Sequence, residues 1–153
     1  MINKKFAFMT IPALAAVLIM GIFAPASAGC FECVEIDIKP GSDPNSINPS
    51  SKGVIPVAIL GSASFDVADV DVTTLVFMAA SDLTTSPNVI GFGFEDVNDD
   101  GFLDLVAHFR TQTTWINCNT TLGQLYGHTI DGLDFIGFDS INPVGKDCRN
   151  NTG

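Results

Sequence analysis

The fold of this chain is decided around one acidic stretch, which runs Glu95-Asp96-Val97-Asn98-Asp99-Asp100-Gly101-Phe102-Leu103-Asp104. Oxygen-bearing side chains occupy relative positions 1, 3, 5 and 9 of a loop that begins at Asp96, and glycine is at position 6: Asp96, Asn98, Asp100, Gly101 and Asp104. This is the ligand order of a calcium loop, in which glycine permits the sharp turn and position 7 contributes a backbone carbonyl. We therefore expect Phe102 to bind through its carbonyl oxygen. Position 12, where a helical calcium hand carries a bidentate Glu, is Ala107, which argues against a helix–loop–helix site.

Both segments beside the loop have the sequence character of strands. After the loop, Leu103, Leu105, Ala107 and Phe109 alternate with other residues at the period of two that a strand shows. Before it, residues 89–94 are apolar, aromatic and interrupted by glycine. We therefore predict a strand–calcium loop–strand unit. The alternative is an acidic surface turn without a specific ligand.

The first 28 residues predict export. Lys4 and Lys5 precede an apolar run from Phe6 to Phe23 and the small residues Ala26-Ser27-Ala28, which is the pattern of a signal peptide with its cleavage site. The apolar run is long, so an uncleaved membrane anchor is the alternative. Residues 29–153 are then one domain, long enough to bury its own core. We expect a secreted, extracellular or cell-surface protein.

The charge of the chain limits its partners. The sequence contains seven basic and 17 acidic residues, and its formal net charge is −10. Loss of Lys4 and Lys5 with the signal peptide leaves five basic residues against 17 acidic ones, a charge of −12. Such a surface repels nucleic acid and anionic lipid and attracts cations. Nucleic-acid binding is excluded, and membrane contact is expected only through an uncleaved signal or a lipid anchor.

The cysteines Cys30, Cys33, Cys118 and Cys148 form an even set, as expected in an oxidising compartment. Three pairings are possible, and the sequence does not choose among them. Cys30 and Cys33 have the spacing of a redox motif without a strand-to-helix context, so structural pairing is favoured. Lipidation of Cys30 is a further alternative, although the large aliphatic residue of a bacterial lipobox is missing three positions before it.

The rest of the chain predicts short strands joined by turns. Pro56 interrupts a buried strand and must face an unpaired edge or a bulge, Asp66 is a plausible cap of one helical turn, and Asp131-Gly132 is the strongest hairpin signal. Seven or eight strands without a long helix predict an all-β fold, a single antiparallel β-sandwich of the Ig-like type. The predicted strands cover residues 34–38, 53–60, 73–78, 89–94, 103–110, 122–130 and 133–142.

Five segments resemble a module found in exported bacterial and archaeal proteins: VEIDIKPGSDPNSIN (34–48), GVIPVAILGS (53–62), FDV (65–67), EDVNDDGFLDLVAHF (95–109) and LYGHTIDGLDFIGFDSI (125–141). The loop itself resembles the DxNxDGxxD loops of FG-GAP-type repeats, and its first half resembles dockerin and thrombospondin type 3 loops. The resemblance implies an extracellular β-domain with a calcium-type loop, and no defined activity. Relatives often carry cysteines near the positions of Gln124 and Phe138, which this chain lacks, so their disulfide cannot be transferred.

Other candidate chemistry is sparse. His108 and His128 are the only histidines, and His108 is expected on the solvated face of its strand. Acidic pairs such as Asp131 and Asp134 could model a glycosidase, but acidic turns explain them better, and no hydrolase or phosphate-binding motif is present. We predict that the protein is not an enzyme. The loop 43–48 could supply oxygens to the same or a second ion, or it could be a self-hydrogen-bonded turn.

Three functions follow from these observations. The leading hypothesis is a calcium-stabilised structural or adhesive module whose partner is an extracellular glycan or protein. The alternative is a self-assembling subunit of an extracellular filament or matrix, in which the strand at residues 34–38 adds to the sheet edge of a neighbour. A polysaccharide hydrolase is the third.

Overall fold

A computed structural model of the protein describes residues 32–80 and 86–149. The predicted signal peptide, with Cys30 and its predicted chemistry, lies outside these residues. The strands within them are β1 Glu32–Cys33, β2 Ile36–Ile38, β3 Ser46–Ile47, β4 Val54–Ile59, β5 Val70–Ala79, β6 Val89–Glu95, β7 Asp104–Arg110, β8 Leu122–Thr129, β9 Asp134–Ser140 and β10 Asn142–Pro143. Two single 3-10 turns, Val67–Asp69 and Thr111–Thr113, and the short helix α1, Lys146–Arg149, complete the described elements.

The strands form two four-stranded sheets and one two-stranded ribbon. One sheet has the order β1-β9-β8-β5, the other has the order β2-β4-β7-β6, and the ribbon pairs β10 with β3. Pairing is antiparallel except at β1–β9 and β10–β3. The prediction of an all-β fold is confirmed. Ten strands are described instead of seven or eight because β1, β3 and β10 have only two residues each.

One hydrophobic core contains residues from both four-stranded sheets. Alternate residues of β4 and β7, such as Val57 and Leu105, are fully buried on one side, and Leu125 of β8 and Phe135 of β9 are fully buried on the other. The rings of Phe77 in β5 and Phe109 in β7 have centroids 5.4 Å apart. Neither sheet could bury its apolar face alone, so the shared core holds them together.

The first strand was predicted over residues 34–38, but the structure has a strand only at residues 36–38, and the chain changes sheet within the predicted range: Val34 N still donates to Ile136 O of β9, at 2.9 Å. Residues 32–33 pair with β9, whereas residues 36–38 pair with β4 in the other sheet. The chain passes over Gly137 on the way, where an added Cβ would lie 2.5 Å from Ile36 and 3.0 Å from the carbonyl oxygen of Val34. Only glycine leaves room for this crossing.

Two local predictions hold. The carboxylate of Asp66 caps the first 3-10 turn by accepting a hydrogen bond from Ala68 N at 2.9 Å. Pro56 lies just past the last β2–β4 pair, Ile38 with Val57, and its carbonyl accepts from Lys39 N at 2.8 Å. The N–H and C=O of one strand residue point toward the same neighbouring strand, so the nitrogen of Pro56 points toward β2. β2 has already ended at this position, and its backbone therefore loses no hydrogen-bond donor to the proline.

Two hairpins dominate the sheets. β8 and β9 meet at Asp131-Gly132, as predicted, with Gly132 at φ +88° and the Thr129 and Leu133 backbones bonded at 2.9 Å. β6 and β7 pair from Glu95–Asp104 onward, and the acidic loop connects them. The predicted strand–loop–strand arrangement is therefore present.

A disulfide joins Cys118 to Cys148, one of the pairings that the sequence left open. Cys118 precedes β8 and Cys148 lies in α1 after β10, so the bridge closes the segment that holds the β8–β9 hairpin. Cys33 is exposed and bonds to no other cysteine of the described ranges. No helix in the described part of the chain has the length and apolar character needed to cross a bilayer.

Candidate calcium-binding loop

The loop turns sharply between two paired strands. Asp99 and Gly101 have positive φ angles, +59° and +90°. No heavy atom lies within 4 Å of a Cβ built on Gly101, so backbone conformation and not lack of space favours glycine there. The sharp turn that the sequence predicted at Gly101 is therefore present.

The carboxylate of Asp96 organises the start of the loop. Its Oδ1 accepts a hydrogen bond from Asp100 N at 3.2 Å, and its Oδ2 accepts one from Gly101 N at 3.0 Å. The loop thus folds back over the side chain at position 1. Side-chain acceptors aimed at successive backbone amides hold the turn compact without a regular element.

Asn98 and Asp100 lie against the same turn. Asn98 Oδ1 accepts from Asp100 N at 3.1 Å, so the oxygens of Asp96 and Asn98 converge on one amide. Asn98 Nδ2 donates to Asp100 Oδ2 at 2.9 Å, and Asp100 Oδ1 accepts from Phe102 N at 2.8 Å. Three of the four predicted side-chain ligands are therefore brought together, and all three are exposed.

The structure places Asp104 differently from these three residues. It is fully buried; its Oδ1 accepts from Gly61 N and its Oδ2 from Val97 N, both at 2.8 Å. Asp104 therefore anchors both ends of the loop to the body of the protein. Each carboxylate oxygen has a second lone pair, and any contact of Asp104 with an ion would have to use it.

Gly61 is a residue of this site that the sequence did not predict. A Cβ at Gly61 would collide with the carbonyl oxygen of Leu103, so the glycine lets the two backbones approach and lets its own N–H reach Asp104. The available signal was its position directly after the apolar run 54–60. Nothing in the local sequence connects it to Asp104, which lies 43 residues further along the chain.

Phe102 offers its backbone to the site. Its N–H donates to Asp100, and its side chain is 43% exposed. An aromatic ring in this position adds little to the core, and the prediction that Phe102 acts through its carbonyl oxygen does not depend on where its ring lies.

The donor set fits a hard cation that prefers oxygen. Asp96 and Asp100 would supply two carboxylates, Asn98 an amide oxygen and Phe102, as predicted, a backbone carbonyl, the mixture that Ca2+ takes in proteins. Across residues 32–80 and 86–149, no three His, Cys, Asp or Glu side chains form a group that could hold a metal. An ion in this loop would therefore depend on the amide and carbonyl oxygens as much as on carboxylates.

A groove borders the loop. Its volume is about 330 Å3, and its walls include Asn98 and Asp100 on one side and the segments 32–35 and 60–65 on the other. The groove brings Glu32 and Glu35 to the same side of the protein as the loop, so a cation approaching the loop crosses an acidic surface.

The loop 43–48, considered above as a source of oxygens for an ion, is hydrogen-bonded to strand β9. Asn45 is buried, and its Nδ2 donates to Asp139 Oδ2 at 2.8 Å and to Ser140 O at 3.0 Å. Ile38 N donates to the same Asp139 oxygen at 2.9 Å. Burial raises the pKa of the Asp37 carboxyl nearby, and the charge of Asp139 raises it further. These contacts join the loop 43–48 and β2 to β9 of the opposite sheet. Within the loop itself, Ser46 N donates to Pro44 O at 2.7 Å.

The two histidines lie away from the loop. His108 is half-buried, opposite Pro56 and Gly91 in its sheet, and so is less exposed than predicted. His128 contacts Asp134 through Nδ1 and lies against Tyr126. Burial raises the pKa of Tyr126, and Asp134 raises it further. This outward-facing Tyr–His–Asp cluster joins neighbouring strands, and the sequence did not predict it.

No family model, no curated protein and no solved structure matches this chain. Its function is therefore argued from the geometry of the loop and the sheets.

Proposed function

We propose that this protein is an exported, calcium-binding β-domain that works as a structural or adhesive module. Ca2+ binds the loop 96–104 and fastens strand β6 to strand β7. The observation that supports this most is the convergence of Asp96 and Asn98 oxygens on the Asp100 amide, beside a carboxylate of Asp100, at the junction of two paired strands.

The fold belongs to the same proposal. The two four-stranded sheets are the layers of an antiparallel β-sandwich of the Ig-like type. Aromatic contacts between the sheets and the core segments support this arrangement: Phe77 of one sheet packs on Phe109 of the other, and Phe65 meets Phe135 edge to face with centroids 5.5 Å apart.

The acidic loop gives a reason for an ion. Asp96 and Asp100 place two negative charges on one tight turn of a chain whose net charge is already −10. A divalent cation removes this repulsion, and its binding free energy becomes folding free energy. At a calcium concentration ten times the dissociation constant, the gain is about 1.4 kcal/mol. Extracellular modules bind calcium with dissociation constants of roughly 0.1–1 mM, so a site of this affinity would be filled outside the cell.

The module would recognise an extracellular glycan or protein. Its acidic surface disfavours anionic polymers, and the fold alone does not choose between the two partners. We propose no enzymatic activity, because the acidic pair Asp131 and Asp134 is engaged in structural contacts: Asp131 accepts from Thr129, and Asp134 contacts His128.

The test combines calcium titration with calorimetric melting. Isothermal titration of the metal-free protein should show one site, and the melting midpoint should rise in calcium relative to chelator. Asp96→Ala and Asp100→Ala should remove both effects. Asp131→Ala, an aspartate in the turn of the other hairpin, is the matched control and should keep them. Equal midpoints in calcium and chelator for the unaltered protein would refute the proposal.

A further inference from the structure

The two ends of the strands differ in charge. Strand β7 starts at the loop 96–104 and finishes at Arg110, at the opposite end of its sheet. Beyond Arg110, Thr111 N donates to Gly53 O at 3.1 Å. The residues that precede β4 and those that follow β7 therefore lie side by side at the end away from the loop.

The C-terminal segment is attached to the same end. Ser50 Oγ donates to Asp147 Oδ2 at 2.6 Å, and the disulfide joins Cys148 to Cys118. Three segments therefore meet, and we call them together the distal end: residues 50–53, 110–118 and 146–149.

The other end, which we call the loop end, holds most of the negative charge. Gly61 N donates to Asp104 Oδ1, which brings the segment before β5 to the loop. Ile130 N donates to Asp69 O at 2.7 Å, which brings the β8–β9 turn to that segment. Twelve of the 17 acidic residues, and no lysine or arginine, lie in the segments 32–35, 61–71, 95–104 and 130–134.

The distal end carries the positive charge. Its segments contain four of the seven basic residues and one acidic residue, Asp147. The four basic residues are all exposed: Lys52, Arg110, Lys146 and Arg149. Within residues 32–80 and 86–149, no carboxylate forms an ion pair with Lys52, Arg110 or Lys146. Their charges are therefore available to a ligand.

Salt limits the influence of the loop end on the distal end. β7 has seven residues, and a strand rises about 3.3 Å per residue, so the two ends are roughly 20 Å apart. The Debye length at physiological ionic strength is about 8 Å. The net charge of −10 disfavours anionic polymers over most of the surface, but at the distal end the local positive charges decide.

Trp115, the single tryptophan of the chain, lies at the distal end. It is 61% exposed, and its φ angle is +57°, a conformation that a bulky residue rarely adopts. Thr114 and Ile116 on either side are buried, and Thr114 Oγ1 donates to Thr111 O at 2.7 Å. These contacts hold the backbone in a conformation that directs the indole ring away from the core.

We propose that the distal end binds a carboxylated polysaccharide, a chain of uronic acid units. The ring of Trp115 stacks on the apolar face of a pyranose. Arg110, five residues away, pairs with a carboxylate, for which its planar guanidinium supplies two parallel donors, and Lys52 adds a second cation. An extracellular glycan is already one of the two partners of the proposed module, and on that point the assignment rests on the proposed function.

The pairing of an aromatic ring with cations distinguishes this ligand from the alternatives. A neutral glycan would leave the cations without a partner. An acidic peptide has carboxylates but no rigid apolar face for Trp115. A uronic acid unit has both, since its ring carries C–H groups on its faces and a carboxylate at its rim.

Isothermal titration with a galacturonate oligosaccharide, in chelator, tests the proposal. Binding should change the fluorescence of Trp115, which has no other tryptophan to mask it. Affinity should fall as NaCl is raised from about 0.1 M to about 1 M, because the Debye length shortens from about 10 Å to about 3 Å. A neutral oligosaccharide of the same length and an oligoglutamate with the same number of carboxylates should each bind at least about tenfold more weakly.

Two matched pairs of variants locate the site. Arg110→Gln and Ile130→Glu each lower the net charge by one, and Ile130 is 74% exposed at the loop end. Arg110→Gln should weaken binding at least about threefold, whereas Ile130→Glu should leave it unaltered. Trp115→Ala should weaken binding about tenfold, whereas Phe138→Ala, at a residue 47% exposed on β9, should not.

Lys52→Gln is the second charge variant if circular dichroism shows that Arg110→Gln does not fold. Absence of galacturonate binding would overturn the proposal. So would equal affinity for oligoglutamate or for the neutral oligosaccharide, or the same loss of affinity in Ile130→Glu as in Arg110→Gln.

The use of chelator separates the distal site from calcium binding. Galacturonate binding together with calcium-independent melting would refute the calcium module and keep the distal site. Calcium-dependent melting without galacturonate binding would do the reverse.

Discussion

The β8–β9 and β6–β7 hairpins lie in different sheets and are held in different ways. β8–β9 closes through a short turn at residues 130–133, with Gly132 N bonded to Thr129 O at 2.9 Å, and the Cys118–Cys148 bridge spans its open end. β6–β7 closes through an exposed acidic loop, and in the described part of the chain β6 pairs with β7 alone. The first hairpin is stabilised by covalent and local contacts, whereas the second contains the loop for which we propose calcium binding. Stability of the second hairpin should therefore depend on the surroundings of the protein.

The largest effect is expected from breaking the covalent closure. The bridge joins cysteines 30 residues apart, and a loop of this length gives about 3–4 kcal/mol in the chain-entropy model. Cys118→Ser with Cys148→Ser should lower the free energy of unfolding by that amount in urea titrations. The increment produced by calcium should remain. A double variant that also loses the calcium increment would show that the two hairpins are not independent.

Asp104→Ala should destabilise the β6–β7 hairpin almost as much. The substitution leaves the N–H groups of Gly61 and Val97 without their acceptor, at a position with no solvent exposure. Unsatisfied buried donors cost roughly 1–3 kcal/mol each, so we expect a loss of about 3 kcal/mol in chelator. Asp104→Asn, which keeps one acceptor oxygen, should lose less. A loss below about 1 kcal/mol would mean that Asp104 is not the anchor of the loop.

Two glycines offer a matched comparison with the smallest effect. Gly101 and Gly132 have φ +90° and +88°, and an added Cβ at either meets no atom within 4 Å. Alanine at each should therefore cost about 1–2 kcal/mol in chelator, from backbone conformation alone. Only Gly101→Ala should also reduce the calcium increment of the melting midpoint. Equal behaviour in calcium would contradict a site in the loop 96–104.

Local sequence predicted most strands and turns, whereas contacts between distant residues decided what the sequence did not predict, such as the burial of Asp104. The alternation of apolar residues predicted most strands, and Asp131-Gly132 predicted the β8–β9 hairpin, because both signals lie within a few residues. The spacing of Asp96, Asn98 and Asp100 likewise predicted that they share one turn. It did not predict that the Asp104 side chain turns inward. That carboxylate accepts a hydrogen bond from Gly61 N, and Gly61 is 43 residues away in the sequence.

The division of the first strand had the same cause. Residues 34–38 alternate cleanly, and their pattern contains no sign of a change of sheet. The crossing depends on Gly137 in another strand, which leaves space for Ile36. Likewise, the position of β6 at an edge of its sheet follows from the order of the strands, which the sequence of one strand does not contain.

Hydrogen exchange in calcium and in chelator, compared between the two hairpins, tests the central claim most directly. Amides of β6, β7 and the loop that open locally, such as Val97 N, should exchange about tenfold more slowly in calcium, the equivalent of about 1.4 kcal/mol. Locally opening amides of β8 and β9 should be unchanged. Equal exchange with and without calcium at the β6–β7 hairpin, or the same slowing at both hairpins, would contradict the assignment of a calcium site to the loop 96–104.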